Sequence, residues 1–145
     1  MRNCLAVVFV LFTTLSISQP LWMRYPTLSP SGDKIAFCYQ GDIFVVDSKG
    51  GLAKQITSHS AHDYKPVWNN DGTMLAFASN RYGNFDVYAV SVDGGTPTRL
   101  TFHSSGDLPY DFSTDGKTVL YLSSRLDAAS SVQFPYAGLP ELYSV

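Results

Sequence analysis

Two arginines occupy matching places in the sequence and could bind a carboxylate. Arg81 and Arg125 each follow an aromatic residue, Phe77 or Tyr121, by four positions. A guanidinium group suits bidentate pairing, so both arginines are candidates to meet a peptide carboxylate. Recurrence at a fixed position also suits an architectural role, in which each arginine is tied to an aspartate or backbone carbonyl of the neighbouring structural unit. The sequence leaves both interpretations open and favours the second.

Histidines and aspartates recur in the same way. His59 and His103 are equivalent, as are Asp63 and Asp107. These residue types bind metals and transfer protons, but the two sets belong to separate repeats and only His62 supplements them. The spacing gives no ligand motif, so we predict a structural role in loops, with no metal and no cofactor. Serine, histidine and aspartate all occur, but a catalytic triad needs geometry, and no catalytic residue is assigned.

The repeats that must position these residues have anchors at regular spacing. Gly32, Gly72 and Gly116 follow one another at intervals of 40 and 44 residues. The glycine pairs Gly50-Gly51 and Gly94-Gly95 recur 44 residues apart. Several anchors kept in one order, at this period, are typical of β-propeller blades.

Each unit has the pattern of four short strands. In the second unit we predict strands at Lys65–Trp68, Thr73–Ala78, Phe85–Val92 and around Thr98–Thr101. The dipeptide Asp71-Gly72 supplies the positive φ of a tight hairpin between the first two. The sequence therefore predicts an all-β fold, a β-propeller of four-stranded antiparallel blades. A small β-sandwich is the alternative, but it does not explain similar anchors at blade spacing.

The anchors also give the blade boundaries. The blades cover about residues 24–62, 63–105 and 106–145, and the third reaches only its third strand at Glu141–Val145. Closed propellers typically have at least four blades. We therefore expect two blades and three strands of a third, as a piece of a larger propeller that packs on the remainder of its own polypeptide. The alternative is a homo-oligomer in which several chains complete a ring.

The first 18 residues differ from the rest of the chain. Arg2 precedes an unbroken apolar run, Cys4–Phe12, and the small residues Ser16 and Ser18 lie before Gln19. This pattern is typical of a cleaved signal peptide, since the apolar run is too short to span a bilayer comfortably as an anchor. We therefore predict an exported protein, periplasmic or secreted, with a mature domain at residues 19–145 and no membrane association after cleavage.

Composition argues against a nucleic-acid partner and indicates which residues form the core. The formal net charge is -2, and lysine and arginine are scattered singly without a basic stripe, so nucleic acid is not an expected partner. Cys38 is the only cysteine after residue 18, and its apolar neighbours predict a small buried side chain without a disulfide. Recurring aromatic positions predict a core that contains Trp22, Phe37, Trp68, Phe77 and Tyr121.

Loops of increasing length lie at one end of the predicted propeller. The second loop of each blade opens there, at Gln40-Gly41, then Asn80–Asn84, then Ser124–Pro140. Binding usually concentrates in loops on a rigid scaffold, so the insertion at residues 125–140 is the favoured contact element. The predicted binding residues are Arg81, Arg125, Phe134 and Tyr136.

The repeats resemble those of the Tol-system periplasmic propeller protein and of tricorn-type peptidases. Ser29–Phe37 is similar to their Ser-Pro-Asp-Gly-Lys-x-Ile-Ala-Phe motif, with Ser31 where Asp is usual. Three further strings, Pro20–Pro26, Ser79–Asp86 and Ala129–Pro135, look like exported tricorn-like proteins.

This resemblance implies a longer protein with further propeller, a PDZ-like module and a C-terminal serine-peptidase core. The propeller would steer or gate peptides, while hydrolysis would occur in that core, none of whose catalytic residues matches this chain. The alternative is a non-catalytic periplasmic propeller that binds a protein or peptide partner. Sequence downstream of Val145 would distinguish a parent enzyme from a binding protein.

Overall fold

The residues that the structure describes fold into three antiparallel sheets. The computed structural model describes residues 22–125 and 140–145, and no helix in these ranges is long and apolar enough to cross a membrane. The first sheet contains, in order, β1 (Arg24–Leu28), β2 (Lys34–Tyr39), β3 (Asp42–Asp47) and β4 (Lys54–Gln55). The second contains β5 (Asp63–Trp68), β6 (Met74–Tyr82), β7 (Asn84–Ser91) and β8 (Thr98–Arg99). The third contains β9 (Asp107–Phe112), β10 (Val119–Ser123) and β11 (Glu141–Ser144).

The predicted fold class is confirmed. The described residues form two four-stranded blades and three strands of a third, each a meander in which neighbouring strands pair antiparallel. The predicted signal peptide at residues 1–18 lies outside the described residues.

A glycine turn joins the first two strands of every blade. In the second blade the N–H of Gly72 donates to the carbonyl of Asn69 at 3.1 Å, and the φ of Gly72 is 71°. The side chain of Asn69 closes the same turn, since its Oδ1 accepts from the N–H groups of Thr73 and Met74. Positive φ suits glycine because it has no Cβ. The equivalent glycines are Gly32, with a φ of 74°, and Gly116, with a φ of 68°.

The hairpin between β6 and β7 is longer than the sequence predicts. The predicted loop at Asn80–Asn84 is mostly strand, because β6 continues to Tyr82, which pairs with Asn84. An irregularity in the register between Ser79 and Tyr82 permits this extension, and Gly83, with a φ of 105°, makes the reversal. The hairpin therefore carries Arg81 and Tyr82 on a strand.

Most of the core lies between the first two blades. Trp68 is 5% exposed, and its indole N–H donates to the carbonyl of Thr27 in the first blade at 3.1 Å. The opposite face of the second blade contributes Ala76 and Val87, which pack against Val119 and Tyr121 of the third. The first interface buries Ala36, Cys38, Ile43, Val45, Ile56, Trp68, Leu75, Phe77, Tyr88 and Val90.

Of two residues that the sequence assigned to the core, Cys38 is buried and Trp22 is exposed. Cys38 is 3% exposed, as predicted, and its thiol lies 3.1 Å from the carbonyl of Asp63. Burial raises the pKa of the Cys38 thiol. The assignment of Trp22 was wrong: this side chain is 73% exposed, because it precedes β1 and packs beside the Arg24 guanidinium rather than between sheets.

Candidate binding groove

The side chain of Arg81 is fixed by contacts with four residues. Its Nη2 lies 2.7 Å from Oδ2 of Asp63, and its Nε donates to Oγ of Ser79 at 3.0 Å. The guanidinium also lies over the rings of Phe77 and Tyr88, at 5.9 and 5.5 Å from their centroids. Because Asp63 is fully buried and the arginine side chain is 13% exposed, the ion pair is shielded from bulk water.

The third blade repeats this arrangement. Nη2 of Arg125 lies 2.6 Å from Oδ2 of Asp107. Its guanidinium lies over Tyr121 and Tyr143, at 5.1 and 5.2 Å. In both blades the aspartate begins the first strand, the arginine follows the second strand's aromatic residue, and 18 residues separate the two charges.

These pairs correct one expectation for a structural arginine. We expected its carboxylate to come from the neighbouring blade, whereas Asp63 and Arg81 lie on adjacent strands of the same sheet. The first blade lacks the pair, because Met23 and Gly41 stand at the corresponding places in its register. The sequence shows that the arginines and the aspartates both recur, but we did not predict that they pair with each other. The 18-residue spacing, which is the same in both blades, could have indicated this pairing.

A further ion pair was not identified from the sequence. Nη2 of Arg99 lies 2.6 Å from Oδ2 of Asp86, and its Nε donates to the carbonyl of Thr101. The guanidinium lies over the rings of Tyr82 and Phe102, at 4.8 and 4.7 Å from their centroids. A repeated spacing, here of 13 residues, could have revealed this pair. Gln55 donates to Asp42 at the equivalent positions of the first blade, also 13 residues apart.

Arg81 and Arg99 line one groove between the first and second blades. The groove has a volume of about 690 Å³, within the range of small-ligand sites. His59 and Tyr88 also line the groove, together with Tyr82 and Phe102, each 71% exposed. The groove therefore combines fixed hydrogen-bond donors with exposed aromatic surface.

Burial shifts the pKa of Tyr88, which lines the groove, and of Asp86, the ion-pair partner of Arg99. It raises the pKa of the Tyr88 hydroxyl, so this group stays protonated at neutral pH. Burial also raises the pKa of Asp86, an effect that the neighbouring Arg99 partly opposes. Within the described residues, the Tyr88 hydroxyl and one oxygen each of Asp63 and Asp86 are buried without a hydrogen-bond partner.

The recurrent histidines lie in the links between blades, where each accepts a backbone hydrogen bond. Nδ1 of His59 accepts from the N–H of Ala61 at 2.9 Å, and Nδ1 of His103 accepts from the N–H of Ser105 at 3.0 Å. Each histidine thus closes a tight turn. In the part of the chain that the structure describes, no group of three or more His, Cys, Asp or Glu side chains is placed to hold a metal.

The four predicted binding residues are therefore not all placed by the structure. Arg81 lies in the groove between the first two blades, and Arg125 lies in a smaller cleft between the second and third. Phe134 and Tyr136 lie outside the described residues, as does most of the predicted contact element at residues 125–140.

Comparison with solved structures supports the propeller architecture. A putative TolB from Agrobacterium tumefaciens superposes with a TM-score of 0.67 and 27% identity, over 77% of this chain and 42% of that chain. The tricorn protease superposes with a TM-score of 0.59 and 20% identity, over 72% of this chain and 11% of that chain, which is a likeness of fold alone.

Comparison of sequences gives the family. A TolB homolog from Chlorobium luteolum is 40% identical over 58 residues, which are 40% of this chain and 12% of that protein. The chain thus spans only a small part of the curated relative that it matches. The family described as the tricorn protease N-terminal beta propeller domain matches residues 20–138, well over half of the chain. The chain therefore belongs to the family of tricorn protease N-terminal β-propeller domains.

Proposed function

We propose that this propeller binds peptide or protein segments at the end where the β6–β7 hairpin and the links between blades lie. The observation that carries the proposal is the exposed pair Tyr82 and Phe102, which flank Arg99. Arginine and aromatic side chains dominate the energetics of protein interfaces. Because Asp86 and the Thr101 carbonyl hold the Arg99 guanidinium, little side-chain freedom is lost on binding. The predicted binding residues Arg81, Arg125, Phe134 and Tyr136 complete this surface in our proposal.

In the parent protein, we propose, this propeller steers or gates peptides for a C-terminal serine-peptidase core. Membership of the tricorn propeller family supports this role. The amino-terminal pattern of residues 1–18 supports export to the periplasm or the outside. Hydrolysis belongs to the core in this proposal, so the 145-residue chain by itself should cleave nothing.

The second candidate is a non-catalytic propeller that binds a protein or peptide partner. The likeness to TolB favours it, because it is seen both in sequence and in a solved structure above 25% identity. The two candidates share the binding surface and differ only in whether a peptidase follows it.

A second proposed contact lies on the outer face of the first blade, the face that points away from the second blade. Phe37 and Phe44 stack there at 5.9 Å, as Phe77 and Tyr88 do on the face of the second blade that packs on the first. A further apolar sheet, like the first-blade sheet that Phe77 meets, would pack on this face. We propose that the remainder of the same polypeptide supplies it, with a homo-oligomer as the alternative.

Binding can be tested on the intact protein with fluorescent peptides of varied sequence. We expect the Tyr82→Ala/Phe102→Ala variant to lose about tenfold or more in affinity, as for interface anchors. Leu52→Ala is the matched control, because Leu52 is 99% exposed in the loop between β3 and β4, at the opposite end of the blade. Equal affinity of the double variant and the control would contradict the proposed surface.

The catalytic part is tested on the natural full-length product with a serine-directed inhibitor. Inhibitor-sensitive peptide cleavage would support the peptidase role, and its absence would favour the non-catalytic candidate. Inhibitor-sensitive cleavage by the pure 145-residue chain would contradict both.

A further inference from the structure

Within the described residues, Asp-Gly dipeptides lie in three turns, at residues 71–72, 93–94 and 115–116. In such a dipeptide the glycine nitrogen can attack the aspartate side chain, because glycine has no Cβ to hinder the approach. Each of these glycines donates its N–H to a carbonyl three residues back, at 2.8 to 3.1 Å, so all three turns must open before the reaction. Differences in reactivity must therefore come from the aspartates and their surroundings.

The carboxylates of two of these aspartates are held in their turns. Oδ1 of Asp71 accepts hydrogen bonds from the N–H and the hydroxyl of Thr73. Oδ1 of Asp115 accepts from the hydroxyl of Ser113 and the N–H of Lys117. These hydroxyl groups lower the pKa of both aspartates, which keeps the carboxylates ionised. An ionised, hydrogen-bonded carboxylate reacts slowly, because attack on its carbon succeeds only when an oxygen can leave as water.

The carboxylate of Asp93 lacks this support. Asp93 is exposed, and within the described residues its side chain accepts no hydrogen bond, although its own N–H donates to Oγ of Ser91. The next two residues, Gly94 and Gly95, have φ angles of 96° and 121°, which glycine adopts readily. The Asp93 side chain is therefore free to turn toward the Gly94 nitrogen when the turn opens.

A lysine of the first blade contacts the peptide group that joins Asp93 to Gly94. Nζ of Lys54 donates to the main-chain carbonyl of Asp93 at 2.8 Å and to that of Val92 at 3.2 Å. An ammonium on this carbonyl makes the Gly94 N–H more acidic, and the reaction needs that proton to leave. It also stabilises an oxyanion that forms on the same carbonyl. In the described part of the chain, no lysine contacts the corresponding carbonyls of the other two turns.

We propose that Asp93-Gly94 is a site of spontaneous isomerisation of aspartate to isoaspartate, assisted by Lys54. The Gly94 nitrogen bonds to Cγ of Asp93, and its proton leaves with the side-chain hydroxyl as water, so that a succinimide ring remains. Water then adds to the ring carbonyl that Lys54 contacts, breaks the bond from that carbon to the nitrogen, and returns a proton to the nitrogen. One water is lost and one is regained, so the overall composition is unchanged.

The product explains why the lysine favours isoaspartate over a return to aspartate. After ring opening the main chain runs through Cγ of Asp93, and the former main-chain carbonyl has become a free carboxylate. This is the group that Lys54 already contacts, so a neutral acceptor is replaced by a charged one. Hydrogen bonds between an ammonium and a carboxylate are stronger than those to a neutral carbonyl.

Peptide mapping of the intact protein, aged in its folded state at neutral pH, tests the site. Isoaspartate is detected by methyl transfer from an isoaspartyl methyltransferase and is located by mass spectrometry. We expect it to accumulate about tenfold faster at Asp93 than at Asp71 or Asp115, because these two must first break a hydrogen bond to a charged group. In the denatured chain the three rates should become similar. Equal rates in the folded protein would overturn the proposal.

Lys54→Met tests the assistance by the lysine. We expect isoaspartate formation at Asp93 to slow about two- to fivefold, the effect of an exposed charge pair, and the ratio of isoaspartate to returned aspartate, both marked by isotopically labelled water, to fall. Lys54→Arg should keep both, since it keeps the charge. Lys49→Met is the matched control, because Lys49 is exposed and makes no contact with Asp93. An unchanged ratio in Lys54→Met, or faster isomerisation, would overturn the role of the lysine.

Discussion

Oδ2 of Asp63 lies 2.7 Å from Nη2 of Arg81, and the Asp63 side chain is completely buried. Removal of one partner of such a pair leaves the other charge buried and uncompensated. We expect Arg81→Met to cost about 3 kcal/mol, the lower part of the range for broken buried pairs. Hydrogen exchange of the amides in β5 and β6 of the intact protein measures this as roughly hundredfold faster exchange.

A double variant separates the cost of the orphaned charge from the value of the pair. Asp63→Asn/Arg81→Met removes both charges, so we expect it to be more stable than Arg81→Met alone. Lys49→Met controls for loss of an exposed cation. A double variant less stable than Arg81→Met would show that the ion pair itself holds the blade.

Three turn aspartates should govern stability in acid. Hydrogen bonds from neighbouring hydroxyl groups lower the pKa of Asp33, Asp71 and Asp115 below the ordinary 3.8. A lowered pKa means that the unfolded chain binds the proton more tightly, so this stabilisation is present above 3.8 and is lost as the pH falls through the folded-state pKa. The largest contribution comes from one hydroxyl in each turn: Ser31 for Asp33, Thr73 for Asp71 and Ser113 for Asp115.

We therefore expect Asp33→Asn/Asp71→Asn/Asp115→Asn to flatten the acid limb of the stability curve, measured by thermal unfolding at a series of pH values. Asp86 acts in the opposite sense, because its raised pKa means that the folded chain holds the proton more tightly and gains stability as the pH falls. Asp93→Asn is the control, since Asp93 is exposed and its carboxylate accepts no hydrogen bond within the described residues. An acid limb as steep in the triple variant as in the control would contradict the assignment.

The sequence predicted the blades because their determinants are local. The Gly72 turn and its equivalents depend on a few consecutive residues, so they recur visibly along the chain. The charged pairs were missed because Asp63 meets Arg81 only through the register of β5 on β6, which composition does not reveal. The extended β6–β7 hairpin was missed for the same reason, since an irregular register near Tyr82 replaces the loop that the polar residues suggested.

Gly72 should resist substitution more than Gly106 does. Gly72 has a φ of 71°, and a Cβ there would meet Pro30 at 3.7 Å, an ordinary contact, so backbone strain alone sets the cost. We expect Gly72→Ala to destabilise by about 1 kcal/mol and Gly72→Asn by less, because asparagine tolerates this region. Gly106→Ala is the control, since its φ is not positive and a Cβ there meets nothing within 4 Å. Equal costs at the two glycines would contradict the strain argument.

Two threonines satisfy equivalent buried N–H groups in successive blades. Oγ1 of Thr57 accepts from the N–H of Ile43 at 2.9 Å, and Oγ1 of Thr101 accepts from the N–H of Val87 at 2.9 Å. Valine keeps the shape of threonine but leaves the donor unpaired, so we expect Thr57→Val and Thr101→Val each to cost about 1–3 kcal/mol.

The matched geometry makes the comparison of these two variants informative. Thr57 and Thr101 are both 3% exposed and both hold the third strand of their blade to the link that follows. Because the two sites lie in different blades, the cost of the double variant should be close to the sum of the single costs. Thr98→Val, at an exposed position of β8, controls for loss of a hydroxyl. Thermal unfolding measures the loss of stability in each variant. Equal losses would show that this hydrogen bond contributes the same stability in every blade, whereas unequal losses would show that its contribution depends on what packs around the outer strand of each blade.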